Sequence, residues 1–157
     1  MANFLRIVLW NANGIIQHKE ELQVFLQDQL IDMIISEPHL TDKSYLKLPG
    51  YKIYHTNYRD NTAHTGTGIL IKSTITHHQL HKYEKDYLQA TSIRVKTLPY
   101  KITVSAIYCP PRHHNVKNEF FLKFLHTLDP KFIAGGDFNS KHSLRIETYH
   151  HQRHRTH

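Results

Sequence analysis

Phe132-Ile133-Ala134-Gly135-Gly136-Asp137-Phe138-Asn139-Ser140 reads as a short buried strand that runs into two glycines and then presents an acid and an amide. The apolar run Phe132 to Ala134 suits extended backbone, and the double glycine ends it where the chain needs unusual conformational freedom. Asp137 and Asn139 are two apart, so an extended backbone projects both to one side and turns Phe138 the other way, toward a core. An acid beside an amide at a strand end is a natural way to hold one ionised oxygen. An Asx-rich turn closing a strand would have the same spelling.

Working outward, 157 residues suit one domain that buries about two-thirds of its unfolded surface. The formal charge is +7, spread over the chain without a block, which suits a polyanionic partner and nucleic acid first. Cys109 is the only cysteine, so no intramolecular disulfide is available and a reducing compartment is expected. Its place between Tyr108 and Pro110, at a strand end, favours a buried structural thiol over a nucleophile. Arg6 and Asn11 interrupt the apolar N-terminus, which argues against a signal peptide, and no apolar run approaches membrane-spanning length. A soluble intracellular protein, of nucleus or cytoplasm and without a membrane partner, is the expectation.

Leu5 to Trp10 is a strand candidate that stops at Asn11-Ala12-Asn13-Gly14, and polar clusters at carboxyl strand ends are where α/β folds place chemistry. A plain Asn-Gly turn is the alternative. Lys19 to Leu30 carries Leu22, Phe25, Leu26 and Leu30 at helical spacing, with acids toward the start. Ile31 to Ser36 then predicts a second strand, parallel to the first through a crossover, which brings Asn11 and Glu37 to one edge of a sheet. Tyr51 to His55 alternates like an edge strand, Asn57 to Thr67 is polar and expected at the surface, and Gly68 to Lys72 is a buried strand. Thr74 to Leu80 extends a meander, and Leu88 to Lys96 and Lys101 to Tyr108 predict two strands joined by a turn at Leu98-Pro99-Tyr100. Phe120, Phe121, Phe124, Leu125 and Leu128 give a helix after Asn118 that leads into the opening strand. The His- and Arg-rich tail, 145–157, has no periodicity; a disordered basic tail is expected there in preference to a metal site.

Four apolar strands therefore end in polar groups: Asn11 and Asn13, Glu37, Tyr108, and Asp137 with Asn139. In this order the set resembles the endonuclease/exonuclease/phosphatase superfamily. Within it, Ser36-Glu37-Pro38-His39-Leu40, Gly66-Thr67-Gly68-Ile69-Leu70-Ile71-Lys72, Tyr108-Cys109-Pro110-Pro111 and Gly135-Gly136-Asp137-Phe138-Asn139-Ser140-Lys141-His142 are most similar to the apurinic/apyrimidinic-type endonuclease domain of non-LTR retrotransposons. Together these pieces cover most of residues 4 to 143.

The resemblance implies a four-layered α/β sandwich, two mixed β-sheets face to face with helices outside, and metal-assisted hydrolysis of a DNA phosphodiester that leaves a nick for reverse transcription. It implies that Glu37 holds a divalent metal, Mg²⁺ or Mn²⁺, with Asn13 standing where relatives often have an acidic residue that assists the metal. By the same resemblance Asp137 orients and deprotonates the attacking water, steadied by Asn139, while Asn11 and Tyr108 support the site and contact the phosphate. DNA is the implied partner, and the reverse transcriptase domain that normally shares the polyprotein is absent from this sequence. The chemistry asks for such groups in its own right. A hard cation on oxygen ligands offsets charge that builds up on the phosphate. A carboxylate activates water, and amide and phenol donors aimed at nonbridging oxygens supply further stabilisation.

Two departures stand out. Related domains continue with further strands and close on a Ser-Asp-His motif, whereas here Ser143-Leu144 gives way to Arg145-Ile146-Glu147-Thr148-Tyr149 and the tail. The expectation is a domain over 1–143, incomplete at its C-terminal end, a non-homologous tail over 144–157 from a shifted or cut reading frame, and weak or absent activity. Pro38 stands where relatives commonly have threonine. A non-catalytic nucleic-acid-binding remnant and a phosphatase of the same superfamily are the competing readings.

Overall fold

The computed structural model describes residues 4–10, 14–36, 38–40, 46–57, 66–110 and 118–138. The first two aliphatic runs form parallel neighbours, β1 (Ile7–Trp10) and β2 (Met33–Ser36), with Trp10 directly opposite Ser36. Their crossover is a 3-10 turn, Ile16–His18, continued by α1 (Lys19–Asp28), whose Glu20 and Glu21 sit in the first turn as the helix dipole prefers. The helix ends two residues before Leu30, which adopts a left-handed conformation (φ 52°) and is exposed together with Phe25. Only Leu22 and Leu26, of the four apolar residues at helical spacing, are buried on the sheet.

β3 (Tyr51–Thr56) and β4 (Thr67–Lys72) complete the first sheet in the order β1-β2-β4-β3, with β4 antiparallel to both neighbours and β3 at an edge, as its alternation predicts. The second sheet is built on β7 (Leu88–Lys96) and β8 (Lys101–Tyr108), an antiparallel hairpin. Two short strands, β5 (His77–Gln79) and β6 (Tyr83–Lys85), pair with β7, and β6 carries no periodicity long enough to be read in the sequence. α2 (Asn118–His126) crosses over to β9 (Phe132–Asp137), which lies parallel to β8 at the sheet's edge.

Side-chain alternation sorts these strands into layers. Ile34 and Leu70 point away from the second sheet and pack with Leu22 and Leu26 of α1. Met33, Ile35, Ile69 and Ile71 point the other way and meet Ile93, Val95, Val104 and Ala106 of the second sheet. On the far side, Leu88, Ala90 and Ile107 pack with Phe124 of α2. Helix, mixed sheet, mixed sheet and helix are the four layers that the sequence resemblance implies.

Two expectations need correction. The opening strand is not buried along its apolar start: Phe132 and Ile133 are 40% and 39% exposed, because β9 is an edge strand and only from Ala134 onward does it pass under the neighbouring sheet. Thr67, expected at the surface with the polar stretch before it, is fully enclosed between the sheets as the first residue of β4.

Candidate active site at the shared rim of the sheets

Each sheet contains one parallel pair, and each pair ends at the same rim. β1 and β2 stop together at Trp10 and Ser36, and β8 and β9 stop together at Tyr108 and Asp137, which are direct partners in register. A backbone hydrogen bond from Cys109 N to Asp137 O (2.9 Å) carries that pairing one residue further. A buried polar contact shows that the two ends lie on one side of the molecule. Thr67, beside the Ser36–Gly68 pair of the first sheet, shares a hydroxyl hydrogen bond of 2.6 Å with Thr91 of the second, two residues from the Gln89–Tyr108 pair. Thr91 also donates to Thr56 Oγ1 at 2.7 Å. All three threonines are essentially inaccessible, so this is a dry polar bridge between the sheets just inside the rim.

The facing of Asp137 follows from its neighbours. A Cβ built on Gly135 would meet Leu9 Cδ1 at 3.7 Å and Ile35 Cδ1 at 3.9 Å, so that position of β9 faces the first sheet. Asp137, two further along, has the same parity, and Phe138 has the opposite one: its ring packs against Phe121 of α2, centroids 5.7 Å apart. The sequence-based expectation for Phe138 therefore holds. Gly136 sits between them at φ 150°, with its missing Cβ only 1.8 Å from Ile107 O, so β9 approaches β8 more closely there than a side chain would permit.

Of the six residues that the sequence singles out, the structure brings Tyr108 and Asp137 together, in adjacent strands on the inner face of the rim. Asn11, Asn13, Glu37 and Asn139 lie outside the described residues, as does the tail. Their chain neighbours are described: Trp10 and Ser36 precede Asn11 and Glu37 as a register pair, and Phe138 precedes Asn139. Pro38, the departure next to Glu37, is buried against Gly68, where an added Cβ would come within 2.8 Å of Pro38 Cγ; the proline has a seat made for it by a glycine.

Sequence reasoning missed Gln89. It is 1% exposed, stands opposite Tyr108, and its Oε1 has no hydrogen-bond partner among the described residues; Ser36 Oγ, also at the rim, is in the same condition. Leaving a buried polar atom unpaired costs on the order of 1–3 kcal/mol, so the glutamine oxygen wants a donor and the serine hydroxyl a partner of either kind. The only signal in the sequence is a glutamine among the apolar and hydroxylic residues Leu88 to Ile93. Cys109 is buried, and burial, with the nearby Asp137 carboxylate second, pushes its thiol up to about 11; it is a protonated structural thiol, as expected.

The comparisons with known proteins agree with this architecture. Residues 8–152 match the endonuclease/exonuclease/phosphatase family. The chain belongs to that family. It is 36% identical over 140 residues to the RNA-directed DNA polymerase from mobile element jockey of Drosophila melanogaster, covering 88% of this chain and 15% of the relative, and 33% identical, with the same coverage, to the jockey protein of Drosophila funebris. The chain thus spans about 15% of the length of these relatives. Among solved structures it resembles the endonuclease domain of TRAS1, a telomere-specific non-LTR retrotransposon (TM-score 0.64, 18% identity, 87% of this chain and 61% of that one). It likewise resembles the AP endonuclease LMAP from Leishmania major (TM-score 0.66, 15% identity, 85% and 54%). These structural likenesses concern the fold. The family's members are phosphoester hydrolases, and the relatives in sequence are polyproteins of mobile elements. No helix among the described residues is long and apolar enough to cross a membrane.

Proposed function

We propose that this chain is the endonuclease part of a mobile-element polyprotein and that its rim hydrolyses a DNA phosphodiester with a divalent metal, Mg²⁺ or Mn²⁺, leaving a nick from which reverse transcription starts. The observation that carries the reading is the register pairing of Tyr108 with Asp137 at the rim where β1 and β2 also end, directly before Asn11 and Glu37 in the chain.

The groups at the rim suit a hard cation. They are carboxylate, amide, phenol and hydroxyl oxygens, with an unpaired buried amide oxygen on Gln89, and the one thiol nearby stays protonated. Glu37 has the sequence parity of Met33 and Ile35, the β2 residues that face the second sheet, and in this proposal it holds the metal with help from Asn13. The metal supplies charge compensation to the phosphate when bound. Asp137 accepts the proton of the attacking water and aligns its lone pair, and Asn139 fixes the carboxylate. Tyr108 and Asn11 direct O–H and N–H donors at a nonbridging oxygen, each such donor contributing roughly 3 kcal/mol to the barrier reduction. The positive charge of the chain attracts the DNA backbone without reading sequence.

A supercoiled-plasmid assay with Mg²⁺, at protein excess and long incubation, tests the proposal. Open circles should accumulate with the native chain and fall by about 100-fold or more with Glu37→Ala or Asp137→Ala, both still bound to DNA. Nicking that survives both substitutions places the reaction elsewhere or in a contaminant. Binding without any metal-dependent nicking makes the chain a nucleic-acid-binding remnant.

A further inference from the structure

At the rim, the last inner-facing row of the second sheet crosses four strands: Glu84, Gln89, Tyr108 and Asp137 are successive register partners on β6, β7, β8 and β9. Register partners point to one face of a sheet, and contacts along three of these strands fix which face it is. Thr91, two residues along β7 from Gln89, reaches Thr67 and Thr56 of the first sheet. Ala106, two before Tyr108, packs with Met33 and Ile35, and Gly135, two before Asp137, lies against Leu9 and Ile35. Gln89, Tyr108 and Asp137 therefore all face the gap between the sheets. Ser36, whose hydroxyl is also unpaired, has the parity of Ile34 and faces α1 instead, so it is no part of this row.

Gln89 is sealed into the row, 1% exposed, and its Oε1 accepts no hydrogen bond from any described residue. The row itself offers it little. Glu84 and Asp137, when ionised, only accept, and Tyr108 does not direct its hydroxyl hydrogen at Gln89. Behind it, Thr91 donates to Thr56. Methionine would fill a similar volume without burying an orphaned acceptor, so the amide is a cost to the fold taken alone. What arrives at the rim has to bring the donor. A phosphodiester cannot, because its oxygens are acceptors. A hydrated divalent cation can: Mg²⁺ gives up its waters reluctantly, and a water bound to a cation donates more strongly than a free one.

We infer that Gln89 is a positioning residue for the cation of the rim, its Oε1 accepting a hydrogen bond from a water that the ion carries. The inference rests on the reading of the rim as a divalent-metal site and adds to it a group that acts through the ion's hydration shell. The backbones of Gln89 and Asp137 are two strand spacings apart, roughly 10 Å, with Tyr108 between them. Outer partners of this kind fix the orientation of a metal's immediate ligands, here its waters.

The thermal midpoint of the full chain, followed by circular dichroism through a MgCl₂ titration without DNA, yields the Kd of the ion from the stabilisation it brings. The native midpoint should rise with Mg²⁺ and that of Glu37→Gln should not, which locates the ion at the rim. Gln89→Met should bind Mg²⁺ about 10-fold more weakly, while its midpoint in EDTA equals or exceeds the native one. A second measurement uses the native chain: in ¹⁵N NMR the Gln89 side-chain amide signal should shift with Mg²⁺ and broaden with Mn²⁺, and stay unchanged in Glu37→Gln. A native Kd in Gln89→Met overturns the inference and leaves the metal at the rim; should that variant not fold, a Gln89 signal indifferent to Mg²⁺ does the same. A native midpoint indifferent to Mg²⁺, or equal stabilisation of Glu37→Gln, overturns the reading of the rim itself and the inference with it.

Discussion

Thr91→Val is the sharpest test of how the two sheets are held in register at the rim. Valine has threonine's shape, so packing is preserved and one hydroxyl is lost. That hydroxyl contacts Thr67 Oγ1 at 2.6 Å and Thr56 Oγ1 at 2.7 Å, and the three side chains are 0–1% exposed. Removing the central member leaves two buried hydroxyls short of a partner, at about 1–3 kcal/mol each; with partial compensation the expected loss is about 2–4 kcal/mol. Replacing all three by valine leaves no orphan, and the same reasoning predicts a change within about 1 kcal/mol of the native chain. Urea denaturation followed by tryptophan fluorescence measures both, with an unchanged m-value as the check that only stability has moved. The signature is non-additivity: the triple variant should be more stable than Thr91→Val alone. If losses simply accumulate from single to triple variant, the hydroxyls hold the sheets by net attraction, and orphaned partners are not the source of the cost.

Gly136→Ala should be among the most damaging single-methyl changes in the chain, because the new Cβ would fall 1.8 Å from Ile107 O and the backbone carries φ 150°; a loss of about 3 kcal/mol or more is expected, and a thermal midpoint within a degree or two of native would refute the close approach. Gln89→Glu puts a carboxyl into a buried site opposite Tyr108; burial raises its folded pKa above the unfolded value, so stability is intact below about 4.3 and is lost as pH rises, and Mg²⁺ should restore part of that loss if the rim takes a cation. A destabilisation independent of pH would show that Gln89 faces water or a donor. Cys109, with its thiol pushed up to about 11 from 9.0, contributes stability that is present below pH 9.0 and is lost as pH rises toward 11. Iodoacetamide should label it slowly at neutral pH in the folded chain and readily in urea, and equal rates in the two states would place the thiol at the surface.

The parts of the fold legible in the sequence are those in which local pattern and tertiary placement agree. β7 and β8 coincide with the predicted Leu88 to Lys96 and Lys101 to Tyr108, because both are long runs flanked by turn residues. The crossover from β1 to β2 follows from two aliphatic strands and one amphipathic helix between them. What stayed hidden depends on partners far along the chain. Nothing local distinguishes the exposed Phe132 and Ile133 from a buried pair, since their exposure is decided by the edge position of β9. Thr56, Thr67 and Thr91 each look like surface hydroxyls until three strands from two sheets bring them together, with Thr91 within 3 Å of both others. Gln89 becomes conspicuous only once Tyr108 is seen opposite it. Of the six candidate site residues, Tyr108 and Asp137 stand as register partners, while the other four lie outside the described part of the chain.

The layout also fixes where the strand endings lie. Among the described residues each sheet holds one strand-helix-strand unit, β1-α1-β2 in the first and β8-α2-β9 in the second, and the other pairings are antiparallel. A parallel pair necessarily sends both carboxyl ends to the same edge, and its crossover helix must lie on an outer face, here over Ile34 and Leu70 or over Leu88 and Ala90. Packing two such units face to face with their carboxyl ends aligned concentrates four strand exits on one rim. The antiparallel strands bring only flanking groups there, Thr67 and Gln89 among them. Polar residues can then follow any of the four exits without disturbing the apolar layers behind them, so the candidate site residues and the aliphatic runs that precede them occupy separate stretches of sequence.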